Sequence, residues 1–178
     1  MHSKTLYQEL SRRNVDFLIA RRLGPISDER LEFEFLFDDP YVVVVGAQSL
    51  WIRRRRIKLA ELVNEPWTLP PPDSGTGSLA IEAFRASGLD NPRIAVVSAS
   101  AQVRMTLLTT GRFLTILPAS ALRFPTRRPE LKVLPVELPM ARVPVGIVTL
   151  KNRTLGPVAR VFVEQAREVA KPLAKRKL

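Results

Sequence analysis

Two short stretches of this chain bring together residues suited to holding an anion. The first is PPPDSGTGS, running from Pro70 to Ser78. Gly75 and Gly77 let a backbone come close to a ligand, and Asp73, Ser74, Thr76 and Ser78 offer side-chain oxygens or helix caps. A helix starting there presents free N–H groups and the positive end of its dipole, both of which favour negative charge. The run lacks the Gly-Lys-Ser/Thr ending of a phosphate-binding P-loop, and it serves equally as an ordinary capped helix start. The second stretch is Ser98-Ala-Ser100. Ser100 is a natural N-cap, the favoured role for it taken alone, whereas Ser98 is less easily explained that way. Arg21 and Arg22 close a strand and can offer bidentate donors to a carboxylate, with plain solvent exposure as the equal alternative.

Catalysis finds little to work with. The one histidine is His2, near the terminus, and there is no cysteine. A Ser-His-acid set therefore needs an ordered His2, a thiolate nucleophile is excluded, and no cluster has metal-ligand spacing. Glu32, Glu34, Asp38 and Asp39 read as wet strand and turn residues. Arg53 to Arg56 are four consecutive arginines beside a single aromatic, Trp51. They read as a solvated loop more readily than as a nucleic-acid patch, which would interleave aromatics or carry a recognition helix.

The elements around these residues follow from periodicity. Leu6 to Arg12 ends a helix, and Val15 to Ala20 reads as a buried strand. Glu32 to Phe37 suits a strand with one wet face, and Tyr41 to Val45, apolar on both faces, a central strand. Lys58 to Val63 is a helical turn stopped near Pro66, and Trp67 to Leu69 a short strand leading into the first loop. Leu79 to Ala86 predicts a helix ended by Gly88, Ile94 to Val97 a strand, and Ala101 to Thr109 a helix with Gly111 as its C′ residue. Phe113 to Leu117, Leu131 to Leu138 and Val143 to Leu150 are further strands. A last helix starts near Pro157, with Val158, Val161, Phe162 and Val169 on one face and a basic, fraying tail from Lys171 to Leu178. Alternating strands and helices predict an α/β fold with a largely parallel sheet, and two lobes. In open sheets of this kind ligands bind outside the carboxyl ends of strands, where both loops fall.

The bulk numbers agree with a folded protein. The chain has 178 residues, 46% hydrophobic and 25% charged, enough to bury a core. No apolar run approaches the roughly 20 residues of a membrane helix, and no signal-peptide pattern is present, so a cytoplasmic protein is expected. The net charge of +11 favours anionic partners, although the basic residues are scattered.

Read in order, these pieces resemble the effector-binding domain of LysR-type transcriptional regulators. Asn14 to Ala20 is similar to the family's third strand, and Phe37 to Val45 to the strand entering its second lobe. Ile57 to Trp67 (IKLAELVNEPW) follows the family's "leu-ala-asp-leu … pro-trp" segment. Val97 to Ser100, Leu107 to Gly111 and Ile116 to Ala119 follow its strand, helix and "leu-pro" run, and Thr154 to Glu168 its closing helix. The resemblance implies a type 2 periplasmic-binding-protein-like fold of two α/β lobes, with 1–46 and 146–178 forming lobe one and 47–145 lobe two. It implies an effector, a carboxylate or other small anion, held in the cleft between lobes by Arg21, Pro71, Ser74, Gly75, Thr76, Ser98 and Ser100. No catalysis, cofactor or metal is implied.

Two departures matter. The family's winged helix-turn-helix and the first strand–helix–strand of lobe one precede the matched stretch, leaving lobe one incomplete at its N-terminus. DNA contact is then expected only through that preceding segment, and the homo-oligomer it helps to build is in doubt. Gly111-Arg-Phe113 also replaces the usual Gly-x-Gly, so this turn must tolerate Phe113. The competing expectation is a free-standing small-molecule-binding protein of the same fold without DNA binding. A third, nucleic-acid binding through the basic surface, predicts steep salt dependence.

Overall fold

The computed structural model describes residues 3–26, 28–123, 130–139 and 142–174. His2 and the last four residues of the basic tail lie outside them. Contacts divide the chain into two units, Met1–Asp39 with Arg142–Leu178, and Pro40–Ala141.

The first unit is built on a three-stranded sheet in the order β1-β8-β2, formed by Phe17–Arg21, Val143–Leu150 and Leu31–Asp39. Both pairings are antiparallel, Phe17 opposite Thr149 and Leu31 opposite Leu150. β8 is central, and Ile147 and Val148, which point to opposite faces, are both buried. Helix α1 (Ser3–Ser11) covers one face, packing Leu10 against Leu31 and Val148. Helix α4 (Pro157–Ala174) covers the other, setting Ala170 against Phe37 and Val145.

The second unit holds five strands in the order β5-β4-β6-β3-β7: Ile94–Val97, Trp67–Leu69, Leu114–Pro118, Tyr41–Gly46 and Leu131–Val133. Here the apolar run of β3 is buried on both faces, as a strand flanked on both sides should be. Helices α2 (Gly75–Ala86) and α3 (Ala101–Leu108) follow β4 and β5. Trp67 is fully buried, donates its indole N–H to the Leu62 carbonyl at 2.8 Å and meets Phe84 of α2 edge-on at 5.2 Å. That satisfied polar handle lets the largest side chain sit in the core.

Several expectations are corrected. The sheets are not largely parallel: among the described residues only β4 pairs in parallel, with β5 and β6. β8, returning after the second unit, lies between β1 and β2 and runs against both. β1 is half-buried rather than buried, with Ile19 49% exposed, because β8 is its one strand neighbour among the described residues. β7 stops at Val133 instead of Leu138, since Pro135 and Pro139 cannot donate to a ladder. On α4, Val158, Val161, Phe162 and Val169 do share a face, but it is the exposed one. The helix turns Ala159, Val163 and Ala170 inward, and small side chains there allow close approach to the sheet. α3 ends at Leu108 with Thr109 as its C-cap, so Gly111 lies one residue beyond the C′ position; it takes the left-handed φ of +74, and Phe113 packs against the core of this unit.

Candidate functional site

Both sequence-predicted loops lie in the second unit, and strand pairing brings them side by side. β4 and β5 are adjacent and parallel, Leu69 registers with Val97, and the Ser98 N–H donates to the Leu69 carbonyl at 3.0 Å. The chain therefore leaves both strands at the same edge of the sheet, each time into a helix N-terminus.

The first loop is shorter than the sequence suggests, because α2 begins at Gly75 and not near Leu79. Ser74 is its N-cap, with extended backbone (φ −82, ψ 151). Its Oγ accepts from the Gly77 N–H at 3.1 Å and donates to the Pro71 carbonyl at 2.6 Å. A Cβ on Gly77 would stand 2.0 Å from that same Pro71 oxygen. Glycine at this position thus lets the helix close onto its own loop. The Ser78 hydroxyl is taken by the Gly75 carbonyl at 3.0 Å. Thr76, half-buried in the first turn, keeps a hydroxyl with no hydrogen-bond partner among the described residues.

The second loop divides its two serines in the same way. Ser100 caps α3, accepting from the Val103 N–H at 3.3 Å. The Ser98 hydroxyl is half-buried and without a partner among the described residues, while its carbonyl accepts from Nη1 of Arg104 at 2.5 Å. Of the five hydroxyls singled out by sequence, those of Ser74 and Ser100 are spent on helix caps, that of Ser78 donates to the Gly75 carbonyl, and two, Thr76 and Ser98, are left over. The first N–H groups of each helix have no intrahelical acceptor. The combined edge offers donors and helix-dipole positive ends to a small negative group.

Arg21 belongs to the first unit, at the end of β1. Its Nη2 lies 2.7 Å from Oδ2 of Asp39, whose carboxylate is buried. Arg22 stacks on the Phe33 ring at 4.7 Å from its centroid. Sequence reasoning had not foreseen Asp39 as a buried partner. It also missed Arg104, which sits four residues before the fully buried Leu108 and therefore on the same inward face of α3.

A cavity of about 550 Å³ occurs elsewhere in the first unit, lined by Glu32, Glu34, Thr149, Arg153 and Arg167 among others. Arg167 grips Glu34 with two bonds of 2.7 and 2.8 Å and holds its carboxyl below the ordinary value, and Arg153 pairs with Asp16 at 2.5 Å. None of the sequence-predicted site residues lines it. Among the described residues no three His, Cys, Asp or Glu side chains gather as a metal site, and no helix is long and apolar enough to cross a membrane. Arg53 to Arg56 are exposed, and Arg54 pairs with Glu61 at 2.8 Å.

Known proteins resemble this chain in sequence and in fold. The transcriptional dual regulator GltC of Bacillus subtilis is 26% identical over 163 residues, 90% of this chain and 53% of that protein. The chain thus spans about half the length of such relatives. The regulatory domain of CcmR from Synechocystis PCC6803, solved in complex with 2-PG, superposes with a TM-score of 0.78 at 18% identity, covering 98% of this chain and 82% of that one. The BenM effector-binding domain with its effector benzoate gives 0.74 at 21%, covering 99% and 79%. The fold is accordingly the type 2 periplasmic-binding-protein-like one. The family described as "LysR substrate binding domain" matches residues 1–171, and the chain belongs to it.

Proposed function

We propose that this chain is the sensing part of a cytoplasmic LysR-type transcriptional regulator, and that it binds a small carboxylate or other anion at the β4–α2 and β5–α3 loops. One observation carries the reading: the Thr76 and Ser98 hydroxyls are half-buried without partners among the described residues, at the shared edge where adjacent parallel strands run into two helix N-termini. Such a hydroxyl, not committed to the protein's own hydrogen bonds, is available to donate to a ligand oxygen. The ligand of the BenM domain, benzoate, is a small carboxylate, which supports the same chemical class here. Pro71, Ser74, Gly75 and Ser100 shape the loops, and Thr76 and Ser98 touch the ligand. Ligand binding shifts the populations of the domain's conformations and so alters transcription. Contact with DNA is made by parts of the regulator outside the matched stretch.

The test is a thermal-shift screen against benzoate, shikimate, citrate and inorganic phosphate. A saturable rise in melting temperature with at least one of them, lost in Ser98→Ala and Thr76→Val, is expected, since a ligand selective for the native state must stabilise it. A folded protein that responds to none, or whose response survives both substitutions, overturns the assignment of these loops.

A further inference from the structure

Ser100, Arg104 and Leu108 lie one turn apart on α3 and face the same way. Leu108 and its neighbour Met105 sit in the core cluster of the second unit, and Arg104 is buried beside them at 4% exposure. A guanidinium removed from water ordinarily finds a carboxylate, because an uncompensated charge in a low-dielectric interior is costly. Arg104 has none among the described residues. Its one hydrogen bond runs from Nη1 to the Ser98 carbonyl, and its buried Nε has no partner. The other buried polar residues described in this unit, Ser49, Thr68 and Thr115, are all neutral. Burial pulls the pKa of Arg104 below the ordinary arginine value, yet a guanidinium remains charged.

Two physical effects of this placement act in the same direction. By taking the Ser98 carbonyl, Arg104 turns the acceptor of the loop inward and leaves the Ser98 hydroxyl to meet a ligand. Its charge also adds to the positive end of the α3 dipole, and none of the described ion pairs involves it. A neutral ligand gains little from either effect, whereas an anion gains from both.

We propose that Arg104 is the positioning residue that makes the β5–α3 loop selective for a carboxylate or phosphate, anchoring Ser98 from beneath and supplying the charge that a bound anion compensates. This rests on the reading of that loop as a ligand site and assigns its charge selectivity to one residue.

The experiment compares benzoate, its neutral isostere benzamide and inorganic phosphate on the intact chain and on Arg104→Met, by calorimetry and thermal shift. The expected result is that at least one anion binds the parent chain while benzamide binds tenfold or more weakly than benzoate. In Arg104→Met the anion affinity falls at least tenfold, the anion-over-isostere preference disappears, and the ligand-free melting temperature is unchanged or higher. Arg104→Gln carries the same comparison if Arg104→Met does not fold, and Arg104→Lys restores part of the preference. A purely structural Arg104 would weaken all three ligands alike and leave the preference intact, which overturns the proposal while sparing the loop as a ligand site. Benzamide binding as well as benzoate to the parent chain has the same meaning. A parent chain indifferent to all three overturns the loop reading and this proposal with it.

Discussion

The guanidinium of Arg21, at the end of β1, reaches the buried carboxylate of Asp39, at the end of β2, at 2.7 Å, although β8 lies between the two strands. Arg21 is opposite Val145 and Asp39 opposite Val143, so the pair ties together two edge strands across the start of the central one. An arginine that sequence position alone offers to a ligand is thus already engaged in holding a sheet.

Arg21→Met is therefore expected to act on stability. Removing a hydrogen-bonded charge from a buried carboxylate costs about 1–3 kcal/mol, read as a lower urea midpoint at unchanged slope. Arg21 is over a third exposed on its side chain, which places the effect toward the lower end of that range. Anion affinity at the second-unit loops should stay within about twofold. A tenfold loss of affinity at unchanged stability would return Arg21 to the ligand site.

Ser74, Ser100, Thr76 and Ser98 should separate into two phenotypes. Ser74→Ala and Ser100→Ala each remove an N-cap bond, to Gly77 and Val103 respectively, at a cost of about 1 kcal/mol of stability. Thr76→Val and Ser98→Ala remove hydroxyls that bond nothing described, so their stability should change by no more than about 0.5 kcal/mol while ligand binding is lost. Melting curves with and without ligand for all four variants separate the classes, and four equal losses of stability would refute the division.

Much of this was legible in the residues themselves. Trp67 to Leu69, Ile94 to Val97 and Val143 to Leu150 form strands at the bounds that periodicity sets, and Ser100 caps the helix it precedes. These are local properties. Strand direction is not: whether β8 runs with or against β1 depends on where a chain returns after a hundred residues of other structure, about which the pattern of β8 is silent. The inward face of α4 was hidden for another reason. Val158, Val161, Phe162 and Val169 are the more apolar stripe, but Ala159, Val163 and Ala170 fit closer to the sheet. Arg104 is the instructive miss. Its register with Leu108 was in the sequence, and only the general exposure of arginine argued against reading it as buried.

Gly77→Ala should be far more damaging than an alanine in a helix ordinarily is. Its Cβ would meet the Pro71 carbonyl oxygen at 2.0 Å and the Pro70 carbonyl oxygen at 3.0 Å, and both are backbone atoms that no rotamer change can move. Either α2 tilts or the Pro70–Pro71 segment shifts, at about 1–3 kcal/mol. Because Ser74 Oγ bonds both the Gly77 N–H and the Pro71 carbonyl, the shift breaks the cap as well. Thermal unfolding of Gly77→Ala beside Ser74→Ala checks this, and a loss smaller than that of the cap variant contradicts the geometry.

The acid limb of stability should trace to carboxylates held by arginines. Arg167 grips Glu34 through two hydrogen bonds and lowers its pKa from the ordinary 4.5, and Arg30 with Ser11 does the same for Asp28. A carboxylate whose folded pKa lies below its unfolded one stabilises fully above the unfolded value, and that contribution is lost as pH falls through the folded value. Arg167→Gln should therefore cost about 0.2–1 kcal/mol at neutral pH, a small figure because both side chains are nearly half exposed. The cost should shrink toward zero as the pH drops below 4.5 and Glu34 takes up its proton in both states. Urea unfolding of the two proteins across that range measures the difference directly. A gap between them that stays constant with pH would assign the loss to packing of the Arg167 stem over the sheet instead of to its charge.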